Sequence, residues 1–263
     1  MAAFTAKDVQ ELRRATGAGM MDAKKALVDS DGDHDAAAQL LREKGLAKAA
    51  SRQDRDSNDG AVAIAVSDSA AALVELSCET DFSAKADDFV GLANELAELV
   101  LADGPDAVAT KADAIDDLKI SKKENIELGT VVRVVAADGQ TIDSYLHTQD
   151  GRGVNGVVVV ASGVDAETLH AIALHIAFAK PTVLHRDQVD PDAVARERAA
   201  LLDITKAEGK PEKAWEKIVE GRLGAWFKET VLLEQGLHGD KASVQDTIGD
   251  GEIISFTQAY IGS

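Results

Sequence analysis

One apolar pattern occurs twice in this chain and limits its architecture more than any other feature. Phe89, Leu92, Ala93, Leu96 and Ala97 reappear as Leu169, Ile172, Ala173, Ile176 and Ala177 at a constant offset of 80. Each set lies on one face of a helix, and each helix follows residues with period-two, β-branched character. Gly60–Ser67 and Ala71–Ser77 read as paired strands around Asp68-Ser69. Thr130–Ala136 and Gln140–Thr148 flank Asp138-Gly139, a hairpin signal, and Gly156–Ser162 reads as a buried strand. The period is too long for a solenoid, so the expectation is two related ββα units. The first copy has the longer strand-to-helix connection, and that extra length holds Cys78-Glu79-Thr80-Asp81-Phe82-Ser83.

Helical signals flank this core. Thr5 with Asp8 reads as a capping box, Gly17 and Gly19 separate two short helices, and Asp33 is placed to cap a third. Gly45 is expected at its C′ position, which makes a small three-helix bundle. Asp190-Pro191 starts a helix pair, about 191–207 and 212–229, joined by Glu208-Gly209-Lys210-Pro211. Leu201, Leu202, Ile204, Ile218, Val219, Leu223 and Trp226 are expected in its seam. A last strand, Glu252–Ile261, is expected to place Ile254, Phe256 and Tyr260 on one face. The chain therefore reads as α+β. Its expected divisions are a helical docking domain 1–45, a linker 46–59, core subdomains 60–136 and 137–186, a helical hairpin 187–232, and a C-terminal module 233–263 that returns to the core.

Charge argues against whole classes of function. The net charge is -18, and residues 61–181 carry 20 acidic against 8 basic side chains, so the middle of the chain repels phosphate backbones. Direct nucleic-acid binding is not expected. No apolar run approaches membrane-spanning length, and a single cysteine, Cys78, allows neither an internal disulfide nor a cysteine zinc site. A cytoplasmic protein without metal or cofactor is the expectation. Gly17-Ala18-Gly19 follows a helix and no Gly-Lys-Ser/Thr comes after it, so it reads as a turn and not a phosphate cradle. The histidines, His34, His147, His170, His175, His185 and His238, include no His-Glu-x-x-His, and His170 and His175 are badly spaced for one helical face. Cys78 reads as an inert buried thiol. Met20 and Met21 are adjacent, so one is expected to pack inward and the other to face a partner. Ser83 is expected to cap the helix after it, leaving Phe82 just ahead of that helix among polar neighbours, where Asp87 makes a poor hydrophobic staple.

Several of these stretches resemble the elongation factor Ts family. Thr16-Gly17-Ala18-Gly19-Met20-Met21-Asp22-Ala23-Lys24-Lys25-Ala26-Leu27 resembles its N-terminal signature, and Thr80-Asp81-Phe82 before a helix resembles its second. Ser144-Tyr145-Leu146-His147, His175-Ile176-Ala177 with Lys180-Pro181, Gly209-Lys210-Pro211 and Val219-Glu220-Gly221-Arg222 follow in the family's order. The resemblance implies a ubiquitin-associated-like N-terminal domain, two related core subdomains and a protruding hairpin. It further implies a non-enzymatic exchange factor that binds the GTPase elongation factor Tu and speeds GDP release, with Thr80, Asp81, Phe82 and Ser83 acting beside the Mg²⁺ site. Arg13, Met20, Met21 and His147 would be partner contacts. Ser83 stands where valine is common in the family. Lys122-Lys123-Glu124-Asn125 lacks a glycine often found before Glu-Asn, so no contact is carried over to Lys122 or Lys123. Two other classes remain beside this one, a binding adaptor without exchange activity and a small hydrolase using Cys78.

Overall fold

The computed structural model describes residues 4–262. Its helices are α1 (Ala6–Thr16), α2 (Met20–Asp29), α3 (His34–Ala50), α4 (Asp81–Ala84), α5 (Asp87–Asp103), α6 (Ala112–Lys122), α7 (Ala166–Ala179), α8 (Pro191–Ala207), α9 (Glu212–Thr230) and α10 (Val244–Ile248). Its strands are β1 (Asp59–Val66), β2 (Ala70–Cys78), β3 (Ile126–Val135), β4 (Gln140–Gln149), β5 (Arg152–Ser162) and β6 (Glu252–Tyr260). The fold is α+β, as the sequence pattern requires.

The first three helices pack around Leu12, Ala23, Ala26, Leu27 and Ala37. Thr5 and Asp8 form the expected capping box, and Gly17 ends α1 with a left-handed φ of 65°. Asp33 caps α3 by accepting from the Asp35 and Ala36 N–H groups. The expected stop at Gly45 does not occur, because α3 continues through it to Ala50. A Cβ at Gly45 would lie 2.9 Å from the Ile120 side chain. This glycine therefore serves the close crossing of α3 over α6 and is not a cap. Arg42 holds the same crossing by pairing with Asp113 at 2.8 Å and with Asp117.

The repeated pattern becomes two three-stranded antiparallel sheets, β1-β2-β3 and β4-β5-β6, each followed from its central strand by a long helix. Alternation decides the layering. Ala61, Ala63, Ala65, Ala72, Val74 and Leu76 face α5, while Val62 and Leu73 face the second sheet. In the second unit Val157, Val159 and Ala161 face α7, while Val158 faces the first sheet. The result is helix, sheet, sheet, helix. Gly156 lets the sheets approach, since a Cβ there would lie 2.7 Å from Val62 Cγ1.

Three expectations yield to this packing. The Asp138-Gly139 hairpin is not formed, because β3 pairs with β2 and β4 pairs with β5, and the turn carries the chain between sheets. Turn chemistry bends the chain but does not choose the strand's partner. In β6 a register shift opposite Val160/Ala161 buries Ile253 and leaves Ile254 exposed, as a bulge displaces a period-two pattern. In the helical hairpin Val219, Leu223 and Phe227 are buried and Ile204 is exposed. Thr205 takes the inward place that Ile204 was expected to fill, with its hydroxyl donating to Leu201 O at 2.7 Å.

His175 joins α7 to the C-terminal segment. It is buried, its Nδ1 accepts from the His238 N–H at 3.1 Å, and its Nε2 faces Gln235 Oε1 at 2.9 Å. Both bonds are made by the neutral ring with the proton on Nε2, and burial pushes its pKa below the usual 6.5. Above 6.5 neither the folded nor the unfolded chain is protonated here. Below it the unfolded chain takes up a proton that the native site refuses, so stability falls as pH drops. Thermal melts at about pH 7.5 and about pH 5.5 should show this loss, and His175→Gln, though less stable at both, should show a smaller difference. An equal difference in the two proteins would contradict the assignment.

Candidate partner-docking site

The connection from β2 to α5 is built on one carboxylate. Glu124 Oε2 accepts from the Glu79 and Thr80 N–H groups, both at 3.1 Å. Its Oε1 accepts from Thr80 Oγ1 at 2.6 Å and Ser83 Oγ at 2.7 Å. The next residue, Asn125, donates its N–H to Glu79 Oε1 at 2.7 Å and its side-chain amide to Arg55 O at 3.0 Å. The strand-to-helix connection, the linker before β1 and the α6–β3 turn thus share one polar knot.

The knot corrects the expected role of Ser83. Thr80 caps the single turn of α4, and α5 starts after Ala86 with no side-chain cap. Ser83 points inward and is buried. Phe82, inside α4, points outward and is 84% exposed. Its aromatic face is therefore held out to solvent from a pinned base.

Asp81 ties this loop to the second sheet. Lys85 Nζ lies 2.8 Å from Asp81 and 3.0 Å from Asp150. The bond from Lys85 holds the Asp81 carboxyl below the usual carboxylate range, and Asp81 in turn raises the Lys85 ammonium. Asp150 and Gly151, both at positive φ, form the turn between β4 and β5. His147 is exposed on β4 just before that turn, with Nδ1 3.3 Å from Tyr145 Oη. The structure therefore brings Thr80, Asp81, Phe82, Ser83 and His147 to one end of the sandwich. Arg13, Met20 and Met21 sit apart on the helical unit, all exposed. The expected inward methionine is not found, with Met20 42% and Met21 73% exposed. α2 fills its interior with Ala23, Ala26 and Leu27, and Met20 is its first residue.

Other residues at this end were not singled out from the sequence, namely Glu124, Asn125, Lys85 and Asp150. The only advance signal was the missing glycine before Glu124-Asn125. Lys123 occupies that place with a left-handed φ of 61°, the conformation glycine favours. Cys78 is buried with Sγ 3.3 Å from Thr80 O, and burial pushes its thiol up to about 12. It is protonated at neutral pH and is no nucleophile. Among the described residues, no group of three or more His, Cys, Asp and Glu could hold a metal, and no helix is long and apolar enough to cross a membrane.

Fold and site present exposed apolar groups, Phe82 on a braced loop and Met20 and Met21 on the helical unit. The sequence model of the family described as Elongation factor TS matches residues 79–263. Curated relatives are each named Elongation factor Ts. One from Clavibacter michiganensis subsp. michiganensis is 46% identical over 261 residues, covering 94% of both chains. One from Cutibacterium acnes is 44% identical, covering 94% of this chain and 93% of the relative. Another from Acidothermus cellulolyticus is 41% identical, covering 100% of this chain and 99% of the relative. The chain belongs to the elongation factor Ts family.

Two outcomes follow from the knot. Glu124→Ala removes four hydrogen bonds, two of them from part-buried donors, and should destabilise the protein by about 1–3 kcal/mol. It should also speed amide exchange at Glu79 and Thr80, and unchanged exchange there would contradict the bracing role. Lys123→Gly relieves the left-handed strain and should stabilise the protein by about 1 kcal/mol in urea denaturation, whereas a loss of stability would contradict it.

Proposed function

We propose that this protein is a guanine nucleotide exchange factor, not an enzyme, that acts in the cytoplasm on elongation factor Tu during translation elongation. The observation that carries the reading is Phe82, 84% exposed on a loop pinned at its base by Glu124. Family membership supports the partner, since proteins named Elongation factor Ts match over nearly the whole chain.

The mechanism needs no bond chemistry in this chain and no cofactor. A GTPase holds GDP through its phosphate loop and its own Mg²⁺. A partner that prefers the empty state must weaken GDP by the same factor. Residues that bind both states equally shift nothing. In this reading the helical domain of residues 1–45, through Arg13, Met20 and Met21, supplies grip, and His147 adds to it from the core. Thr80, Asp81, Phe82 and Ser83 supply the difference between states. Phe82 inserts beside the nucleotide site, and Asp81 places a negative charge near the ligands of the Mg²⁺, whose charge holds the diphosphate. The hairpin of residues 187–232 stands outside this step.

The rival is an adaptor that binds elongation factor Tu without exchange. Substoichiometric protein added to elongation factor Tu loaded with labelled GDP separates the two, because an exchange factor turns over and an adaptor does not. A phenylalanine buried only in the opened complex contributes about 1.5–3 kcal/mol. Phe82→Ala should therefore slow GDP release by about one to two powers of ten with an unchanged melting temperature. Asp81→Ala should act in the same direction but less. A Phe82→Ala protein that melts normally and exchanges at the full rate would remove Phe82 from the mechanism.

A further inference from the structure

Phe178 is 86% exposed at the last turn of α7. The internal repeat supplies its control. At the offset of 80, Phe178 corresponds to Glu98 on α5, which is also exposed. The same helix on the same kind of sheet is therefore built with a charged residue at this position, and the fold does not ask for a phenylalanine. The ring is 86% exposed where the repeat carries a carboxylate, so packing within the fold does not account for it, and its weight comes from what stands beside it.

Its place in the fold sets those neighbours. His170 on α7 lies 2.8 Å from Asp143 on β4. From His170 to Phe178 the helix rises about 12 Å, and from Asp143 to His147 the strand advances about 13 Å. The two elements run the same way, so Phe178 ends level with His147. A second link fixes the same alignment. His147 pairs across the sheet with Asn155, whose side chain donates to Ala177 O at 2.8 Å. Beyond His147 lies the turn containing Asp150, which Lys85 joins to Asp81. Phe82, His147 and Phe178 thus stand in series at one end of the sandwich, one contributed by the first sheet's connection and two by the second unit.

We propose that Phe178 is a further apolar anchor for the same GTPase, continuing the docking surface past His147. The proposal rests on the exchange-factor reading above. Continuity with that surface selects the occupant over a second copy of this chain, because the anchor sits beside residues already assigned to the GTPase.

The test is calorimetric titration of nucleotide-free elongation factor Tu with the full chain. Phe178→Ala should melt as the parent does and bind about ten- to a hundredfold more weakly. Phe178→Leu should retain most of the affinity. Phe178→Ala combined with His147→Ala should lose less than the product of the two single losses, because neighbouring contacts couple. Unchanged affinity in Phe178→Ala would overturn the proposal, and so would a melting temperature several degrees lower, which would make Phe178 a packing residue. A change in self-association by sedimentation, with GTPase binding intact, would assign the ring to a second copy and also overturn it. If Phe82→Ala and His147→Ala weaken binding while Phe178→Ala does not, this inference alone fails. If the parent protein does not bind elongation factor Tu, the exchange-factor reading fails and takes this inference with it.

Discussion

The carboxylate of Glu124 organises the end of this molecule proposed to dock the GTPase. It accepts two backbone N–H groups and two hydroxyls from residues 79–83. Hydrogen bonds to a charged acceptor are stronger than neutral ones, and four on one partly enclosed side chain leave the loop little freedom. That restriction lets Phe82 stand in water without collapsing onto the core. A loop that had to be ordered on contact would spend part of its binding energy on ordering. Asn125 extends the restraint to the segment before β1 by donating to Gln53 O and Arg55 O.

The sandwich turns this local brace into a wider surface. Close approach at Gly153 and Gly156 sets β5 directly against β1, and Arg152 reaches across to Asp59 and Gly60 O. The end of β2 that carries the Phe82 loop therefore meets the β4–β5 turn. Lys85 spans the gap between the two units. Small residues on facing strands thus decide which functional groups become neighbours, although none of them touches a partner in this account.

What was legible in the sequence was local. The caps at Thr5, Asp33 and Asp190 act within one turn, and their signals were present in a few adjacent residues. The repeat of the Phe89 and Leu169 faces was legible because helix burial writes a strict spacing. The β1–β2 pair was legible around Asp68-Ser69, but the partners of β3 and β4 were not, since Asp138-Gly139 makes a turn whichever sheet receives β4. Gly45 was misleading because a glycine needed for a helix crossing looks like a glycine needed for a cap. Glu124 was hidden by its separation of 44 positions from Thr80. A lone glutamate after two lysines has no pattern that announces four donors elsewhere. The polar neighbours of Phe82 left core and exposed readings open and the family resemblance favoured exposure, while the means of holding it there was not legible.

The central claim is that the Phe82 loop discriminates between nucleotide states while other contacts supply grip. The direct test is the affinity of the parent protein and of Phe82→Ala for elongation factor Tu in two forms, nucleotide-free and GDP-bound. The account predicts that the parent strongly prefers the empty form, and that Phe82→Ala loses about one to two powers of ten of that preference, with much less change toward the GDP-bound form. An equal loss of affinity toward both forms would make Phe82 one more gripping residue and contradict the account.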